Sequence, residues 1–261
     1  MLFAIDIGNS NIHIGFFDKD ELIHTFCLGS DKNRTSDEYA LLLKSVSELN
    51  GYTMNSFDSA IIGSVVPAVT PIIQRALEVI LKVAPVIVGP GVKTGFPIKI
   101  DDPSELGADL AANAAGAIAK VGFPAIVIDF GTATTISVID ETRAYIGAAI
   151  MPGVQMSLDS LQNTGLLPGI AADKTVPIIG KTTKDCMSAG VLRGQAFSAQ
   201  SFAKAYREAY FPEKSSNLVI SGGFAEVMLP YIFEKFTYIP YLTLEGLNVI
   251  YKNHKVNPRK K

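Results

Sequence analysis

The hydrophobic pattern at the start of the chain predicts a buried strand that ends in a polar turn. Phe3 to Ile7 are apolar except for Asp6, and Gly8 to Asn11 follow as a run of small and polar residues. Apolar positions resume over Ile12 to Phe17, which indicates a second strand that folds back on the first. The chain therefore opens with a hairpin that carries a carboxylate where its first strand ends.

The same pattern occurs a second time along the chain. Ile126 to Thr135 aligns with Phe3 to Ile12 without a gap, so that Asp129 takes the position of Asp6. In both copies a glycine and small polar residues follow the carboxylate, and an apolar strand comes next. Repetition on this scale indicates two similarly folded halves and not a solenoid of short repeats.

The remaining periodicity predicts helices and short strands in alternation. In the first half the predicted order is β-β-β-α-β-α-β, which is typical of a mixed sheet covered by helices. We therefore expect an α/β protein of two duplicated domains, residues 1–118 and 119–261. The predicted helices cover residues 36–49, 71–82, 106–119, 154–161, 183–210, 225–228 and 245–252.

Both turns have the composition of a phosphate-binding loop. Gly8 allows the backbone to approach a bulky anion, and Asn9, Ser10 and Asn11 offer short donors beside backbone N–H groups. Because a carboxylate repels phosphate, Asp6 predicts a bridging Mg²⁺ or its water shell. Alone, this stretch is equally consistent with an ordinary hairpin. Its repetition favours two phosphate loops that face each other across a cleft and hold a nucleotide.

Two later stretches are candidate binding loops. Gly222 and Gly223 follow the predicted strand Asn217–Ile220, and paired glycines there would let a flat adenine ring lie on the backbone. Gly180 to Thr183 stand where the long predicted helix begins, and we interpret them as a substrate-contacting loop.

Asp109 is the candidate for acid–base chemistry. It lies in the first turn of a predicted helix, and Gly107 and Ala108 leave room there for a substrate. A carboxylate in this place can accept the proton of a substrate hydroxyl during phosphoryl transfer. It can equally serve only to favour the positive end of the helix dipole, and the residues alone leave both interpretations open.

The composition excludes two classes of partner. The net charge of −2 and pI of about 5.9 give no electrostatic basis for nucleic-acid binding. No apolar run reaches the ~20 residues of a membrane span. Cys27 and Cys186 are isolated, which is typical of a reducing compartment. We expect a cytoplasmic protein that binds neither nucleic acid nor membrane.

The helical region predicted after Thr183 carries more apolar side chains than one helix face needs for its own core. These side chains are Met187, Val191, Leu192, Phe197 and Phe202. We expect a homodimer that buries part of this surface, because obligate dimer interfaces resemble a core cut in half. The alternative is a helix wholly buried within one chain.

Together these motifs resemble the actin, Hsp70 and sugar-kinase superfamily, and within it the type III pantothenate kinase family along nearly the whole chain. The segments that carry the resemblance include Asp6 to Ser10, Gly107 to Asp109, Asp129 to Thr135, Ile179 to Thr183 and Leu242 to Leu247. The resemblance implies two actin-like (ribonuclease H-like) domains, each with a mixed five-stranded sheet, and a nucleotide cleft between them. It also implies ATP-dependent phosphorylation of pantothenate, the first step of coenzyme A synthesis.

The resemblance further implies roles for individual residues. It makes Asp109 the catalytic base and Asp129 a ligand of K⁺ or NH₄⁺. It also implies that Mg²⁺ is held indirectly at Asp6 and that the active site is completed across a homodimer. The implied nucleotide-binding residues are Asp6, Ile7, Gly8, Asn9, Ser10, Asn11, Ile12, His13, Thr132, Gly222 and Gly223. The implied substrate-binding residues are Ile100, Gly107, Ala108, Asp109, Leu110 and Thr183.

Two positions depart from the family pattern. Leu110 stands where the family has a substrate-binding arginine, and Ile100 stands where it usually has a pocket tyrosine. Lys93 or Lys99 are candidates to supply a substitute charge. The departures leave two alternatives: a kinase of the same fold for another small hydroxyl compound, and a catalytically impaired nucleotide-binding paralogue.

Overall fold

The computed structural model describes residues 1–163, 169, 172 and 176–256, and the chain divides into two compact units. Unit 1 comprises Met1–Phe96, Asp102–Ala119 and Thr243–Lys261, and unit 2 comprises Pro97–Asp101 and Lys120–Leu242. The predicted boundary between residues 118 and 119 lies beside the break after Ala119. The C-terminal helix, however, belongs to unit 1 and not to the second half of the chain, and residues 97–101 belong to unit 2.

Unit 1 is built on the hairpin that the sequence predicts. Its elements are β1 (Leu2–Ile7), β2 (Asn11–Asp18), β3 (Glu21–Gly29), α1 (Ser36–Leu49), β4 (Ser59–Ser64), α2 (Thr70–Leu81), β5 (Val86–Ile87), α3 (Ala108–Val121) and α8 (Leu242–Val256). The sheet order is β3-β2-β1-β4-β5, in which β1 to β3 are antiparallel and β1, β4 and β5 are parallel. The central position of β1 places the end of that strand at the middle of the sheet edge.

One face of this sheet packs on α1 and α2. Phe3, Ile5 and Phe16 share a buried core there with Leu43 of α1 and Ile73 of α2. The start of α1 is defined by its sequence, because Thr35 and Glu38 form a reciprocal capping box, and Asn50 ends the helix.

The other face of the sheet is covered by α8. Leu244 lies against Gly15, and Leu247 lies against Gly63. A Cβ added to Gly246 would fall 1.7 Å from the carbonyl oxygen of Ala112 in α3, so α8 and α3 approach through their backbones. This close packing brings the last helix of the chain into unit 1, and it depends on small residues far apart in sequence.

Unit 2 repeats the architecture. Its elements are β6 (Ala125–Phe130), β7 (Ala133–Ile139), β8 (Tyr145–Pro152), α4 (Val154–Gln162), α5 (Thr183–Ser188), α6 (Gly194–Tyr210), β9 (Asn217–Ser221), α7 (Ala225–Met228) and β10 (Thr237–Tyr238). The sheet order is β10-β9-β6-β7-β8, which is the order of unit 1 counted from the other edge. The predicted fold class of two similar mixed five-stranded sheets with helices is confirmed.

The helical region predicted over residues 183–210 is helical throughout but not uniform. A π-helical segment, Ala189–Arg193, separates α5 from α6. Of the five apolar side chains expected to form a dimer surface, Met187, Val191 and Leu192 lie buried within unit 2, whereas Phe197 and Phe202 remain 44% and 37% exposed. Across the residues that the structure describes, none of the helices has the length and hydropathy needed to cross a membrane.

Candidate active site

The turn of unit 1 that the sequence predicts to bind phosphate closes on itself. The backbone N–H of Gly8 donates to the carbonyl of Asn11 at 2.9 Å, and a Cβ at Gly8 would lie 3.1 Å from that oxygen. Outside the hairpin, the N–H of Ser30 donates to the carbonyl of Ser10 at 2.9 Å. Asn9, Ser10 and Asn11 are exposed, so their donors face outward from the turn.

The predicted nucleotide contacts of this turn include exposed side chains and residues that can offer only backbone atoms. Ile7 and Ile12 have fully buried side chains in the core of unit 1, so only their backbone atoms remain as contacts. His13 pairs with Asp6 across the hairpin, and burial lowers the pKa of its imidazole. At neutral pH the lowered pKa leaves the imidazole of His13 uncharged, so this side chain adds no positive charge beside Asp6.

Asp109 lies partly buried in the first turn of α3. Its Oδ1 accepts the N–H of Leu110 at 2.8 Å, and a Cβ added to Gly107 would come within 2.5 Å of the same oxygen. The glycine therefore makes the space in which the carboxylate sits. Burial raises the pKa of Asp109 despite the backbone N–H groups that stabilise its charge. A carboxylate with a raised pKa is better suited to accept a proton than an ordinary surface aspartate.

The second predicted phosphate turn, in unit 2, lies against the paired glycines. Gly222 has φ of +101°, and a Cβ there would lie 2.3 Å from Oδ1 of Asp129 and 2.5 Å from the carbonyl oxygen of Phe130. The N–H of Phe224 donates to that same carbonyl at 2.9 Å. The structure thus brings together Asp129, the end of β6 and the Gly222 turn, which the sequence separates by more than ninety residues.

Thr132 forms the exposed tip of this turn. The N–H of Gly153 donates to its carbonyl oxygen at 3.1 Å, and a Cβ at Gly153 would fall 2.0 Å from that oxygen. The predicted ATP contact therefore sits on a turn that packs tightly against the residue following β8.

Each predicted cation site has one carboxylate, Asp6 in unit 1 and Asp129 in unit 2. Among the described residues no group of three or more histidine, cysteine or acidic side chains is arranged to hold a metal ion. Mg²⁺ needs no such cage when phosphates supply most of its ligands, and the single carboxylate of Asp6 suits that mode. In unit 2, Oδ1 of Asp129 and the carbonyl oxygen of Phe130 both lie close to the α-carbon of Gly222, so a cation bound there would meet oxygen atoms.

Comparisons with known proteins show the family of this chain. The type III pantothenate kinase family model matches residues 2–205, which include Asp6, Asp109, Asp129 and Thr183. A type III pantothenate kinase of Bacillus cytotoxicus is 35% identical, and the alignment covers 98% of this chain and 97% of that protein. The chain belongs to the type III pantothenate kinase family.

Solved structures of more distant proteins show the same fold. The ADPNP-bound activator of 2-hydroxyisocaproyl-CoA dehydratase from Clostridium difficile has a TM-score of 0.57 at 12% identity, covering 100% of this chain and 98% of that one. A ROK hexokinase from Thermus thermophilus has a TM-score of 0.51 at 13% identity, covering 98% and 99%. These similarities place the chain in the actin-like and sugar-kinase fold class.

The two departures from the pantothenate kinase pattern lie in different units. Leu110 is half-buried in unit 1, directly after Asp109. Ile100 is half-buried in the short segment Pro97–Asp101 of unit 2. In this segment the backbone N–H of Lys99 donates to the backbone carbonyl of Tyr145 at 2.8 Å. The ammonium of Lys99 donates to Asp140 at 3.2 Å and to Thr142 at 2.9 Å, so this lysine is engaged within unit 2.

The loop that leads to Thr183 is held by two residues that sequence reasoning missed. Arg193 donates to the carbonyls of Val176 at 2.7 Å and Pro177 at 3.1 Å, and its guanidinium stacks on the ring of Tyr231. The hydroxyl of Tyr231 accepts the N–H of Val176 at 2.9 Å. Thr183 itself is exposed at the start of α5. An arginine within an apolar helical stretch was the only sequence signal for these contacts.

Proposed function

We propose that this pantothenate kinase family member transfers the γ-phosphoryl group of ATP to the hydroxyl of pantothenate, giving 4′-phosphopantothenate at the start of coenzyme A synthesis. The observation that carries the proposal is the partly buried Asp109 with its raised pKa, next to the space left by Gly107. The family membership supplies the substrate, and the carboxylate supplies the base that the reaction needs.

In the proposed reaction the carboxylate of Asp109 accepts the hydroxyl proton as the oxygen attacks the γ-phosphorus. A new P–O bond forms, the bond from the γ-phosphorus to the bridging oxygen breaks, and ADP leaves. We assign the backbone N–H groups and side chains of Gly8 to Asn11 to the phosphates. We assign Gly107, Ala108 and Thr183 to pantothenate.

In unit 2 we assign Thr132 to an ATP contact, Gly222 and Gly223 to the adenosine, and Asp129 to a monovalent cation. Mg²⁺, when bound near Asp6, would offset the negative charge of the phosphates. A monovalent cation at Asp129 would offset phosphate charge at the turn of unit 2. The reducing environment inferred from the two unpaired cysteines favours a cytoplasmic location.

A coupled ADP-release assay on a panel of small alcohols tests the function. We expect pantothenate to stimulate ADP release above the rate with ATP alone. Stimulation by a different alcohol would favour the alternative kinase, and ATP binding without stimulation by any alcohol would favour the impaired paralogue. The second alternative is supported by one observation, the aliphatic side chain of Leu110 beside the predicted base.

The assignment of Asp129 predicts that activity depends on the monovalent cation. We expect faster turnover in K⁺ or NH₄⁺ than in Na⁺ at equal ionic strength, because the smaller Na⁺ ion requires a tighter oxygen cage. Steady-state rates in matched chloride buffers measure this. Asp129→Ala should lose both the cation response and efficient ATP use, and equal parental rates in Na⁺ and K⁺ would exclude the cation site.

The exposed aromatic residues of α6 support a homodimer. Phe197, Phe202 and Tyr210 are 44%, 37% and 56% exposed on this helix. Size-exclusion chromatography with light scattering at micromolar concentration should give twice the chain mass of 27.9 kDa. Phe202→Glu should shift the protein toward the monomer, whereas Leu49→Glu on α1 should not. A parent that is monomeric would end this proposal.

A further inference from the structure

Gln195, the second residue of α6, uses all of the polar atoms of its side-chain amide. Its Oε1 accepts the hydroxyl of Thr134 at 3.0 Å. Its Nε2 donates to the carbonyl of Pro152 at 2.9 Å and to the hydroxyl of Ser157 at 2.9 Å. One side chain therefore joins β7, the end of β8 and α4 to the start of α6.

The partners of Gln195 flank the turn of Thr132 on both sides. Thr134 follows Thr132 by two residues and is fully buried. Pro152 precedes Gly153, whose N–H donates to the carbonyl of Thr132 at 3.1 Å and whose α-carbon packs closely against it. The acceptor end of the amide thus holds one side of the turn, and the donor end holds the other.

We propose that Gln195 is a positioning residue for the second phosphate turn, which sets the place of Thr132 and so the affinity of the enzyme for ATP. The inference rests on the proposed function, because it takes Thr132 as an ATP contact. In this proposal Gln195 acts through its hydrogen bonds to the flanks of the turn.

The role requires a primary amide of this length. Glutamate would keep the acceptor for Thr134 but could not donate to Pro152, and methionine would keep the length but could do neither. Because Thr134 is buried, water cannot replace the lost partner, and an unsatisfied buried group is costly. The π-helical segment just before α6 agrees with a functional role, since such segments within helices are frequent at functional sites.

Gln195→Met and Gln200→Met form a matched pair for the test. Gln200, on the same helix, donates to the carbonyls of Ala196 at 3.0 Å and Tyr231 at 3.1 Å and accepts the N–H of Phe233 at 2.7 Å. Both variants lose a bonded glutamine amide, but only Gln195 touches the flanks of the phosphate turn. Calorimetry gives the Kd for ATP, thermal unfolding gives Tm, and steady-state kinetics give KM for each substrate.

We expect Gln195→Met to raise the Kd and KM for ATP about ten-fold, with KM for pantothenate unchanged, since a lost buried hydrogen bond is worth roughly a factor of ten in affinity. Gln200→Met should lower Tm but leave the Kd for ATP at the parental value. If Gln195→Met does not fold, Gln195→Asn replaces it, because its shorter amide cannot reach both flanks.

Equal ATP affinity in the parent, a folded Gln195 variant and Gln200→Met would overturn the positioning role. So would a Gln200→Met protein that loses ATP affinity as much as Gln195→Met, because the effect would then be general. A parent that binds no ATP would instead contradict the proposed function itself, and the two failures are therefore distinguishable.

Discussion

Asp109→Asn is expected to lower kcat by about 10²-fold or more, the usual contribution of a general base. The amide is isosteric with the carboxylate and can still accept the N–H of Leu110, but it cannot take the proton of the substrate hydroxyl. The fold and the Kd for ATP should therefore stay at the parental level. Steady-state turnover and ATP calorimetry on the same preparation measure both.

Asp37→Asn is the matched control for this substitution. Asp37 is likewise an aspartate in the first turn of a helix, α1, but it is exposed. A role limited to the helix dipole would make the two variants alike, with small losses of stability and near-parental turnover. Near-parental turnover of Asp109→Asn would remove this residue from the mechanism.

The raised pKa of Asp109 gives this prediction a pH dependence. The base must be ionised, so kcat/KM should fall as the pH drops through that pKa, at a higher pH than an ordinary aspartate would give. The stability of the fold changes with pH in the opposite direction. Burial disfavours the ionised form of Asp109, so the free energy of unfolding falls as the pH rises through the folded-state pKa of this carboxyl. Asp109→Asn should therefore unfold at an equal or higher Tm than the parent at pH 8.

Leu110→Arg combined with Ile100→Tyr is expected to raise pantothenate turnover. A guanidinium binds a carboxylate or phosphate through two charge-assisted hydrogen bonds, and an aliphatic side chain offers none. Bonds to charged groups are worth about 1.5–3 kcal/mol, or roughly one to two powers of ten in binding or rate. We expect weak activity of the parent and a gain of that size in kcat/KM for pantothenate.

Leu110→Met separates the effect of charge from that of side-chain length. It should leave kcat/KM at the parental value, as should Lys99→Met if the salt bridge of Lys99 with Asp140 has only a structural role. A parent that is already fast, with a double variant no faster, would show that another cation replaces the arginine. If parent and double variant are both inactive while ATP binds, the substrate assignment is wrong.

Much of the fold was predictable because its signals are local. The hairpin of β1 and β2, its repeat at β6 and β7, and the capped helix α1 each follow from a continuous hydrophobic pattern with a clear turn or cap. The strand β10 was missed because two residues, Thr237 and Tyr238, are too short a run to show a period. The place of α8 was missed because it depends on Gly246 meeting Ala112.

The candidate site was predictable to the extent that its chemistry lies in motifs. Asp109 and the two turns predicted to bind phosphate were visible as residue types at the ends of predicted elements. Gln195 and Arg193 were not, because a glutamine or arginine within a helix carries no sign of its partners. Their hydrogen bonds join segments brought together only by the tertiary fold, such as Thr134 with α6.

The central claim is phosphoryl transfer to pantothenate with Asp109 as base, and ³¹P NMR of a reaction containing the enzyme, Mg-ATP, K⁺ and pantothenate tests it most directly. We expect a phosphomonoester resonance that grows in step with ADP for the parent and is nearly lost for Asp109→Asn. Release of inorganic phosphate without a phosphomonoester, or an equal phosphomonoester signal from both proteins, would contradict it.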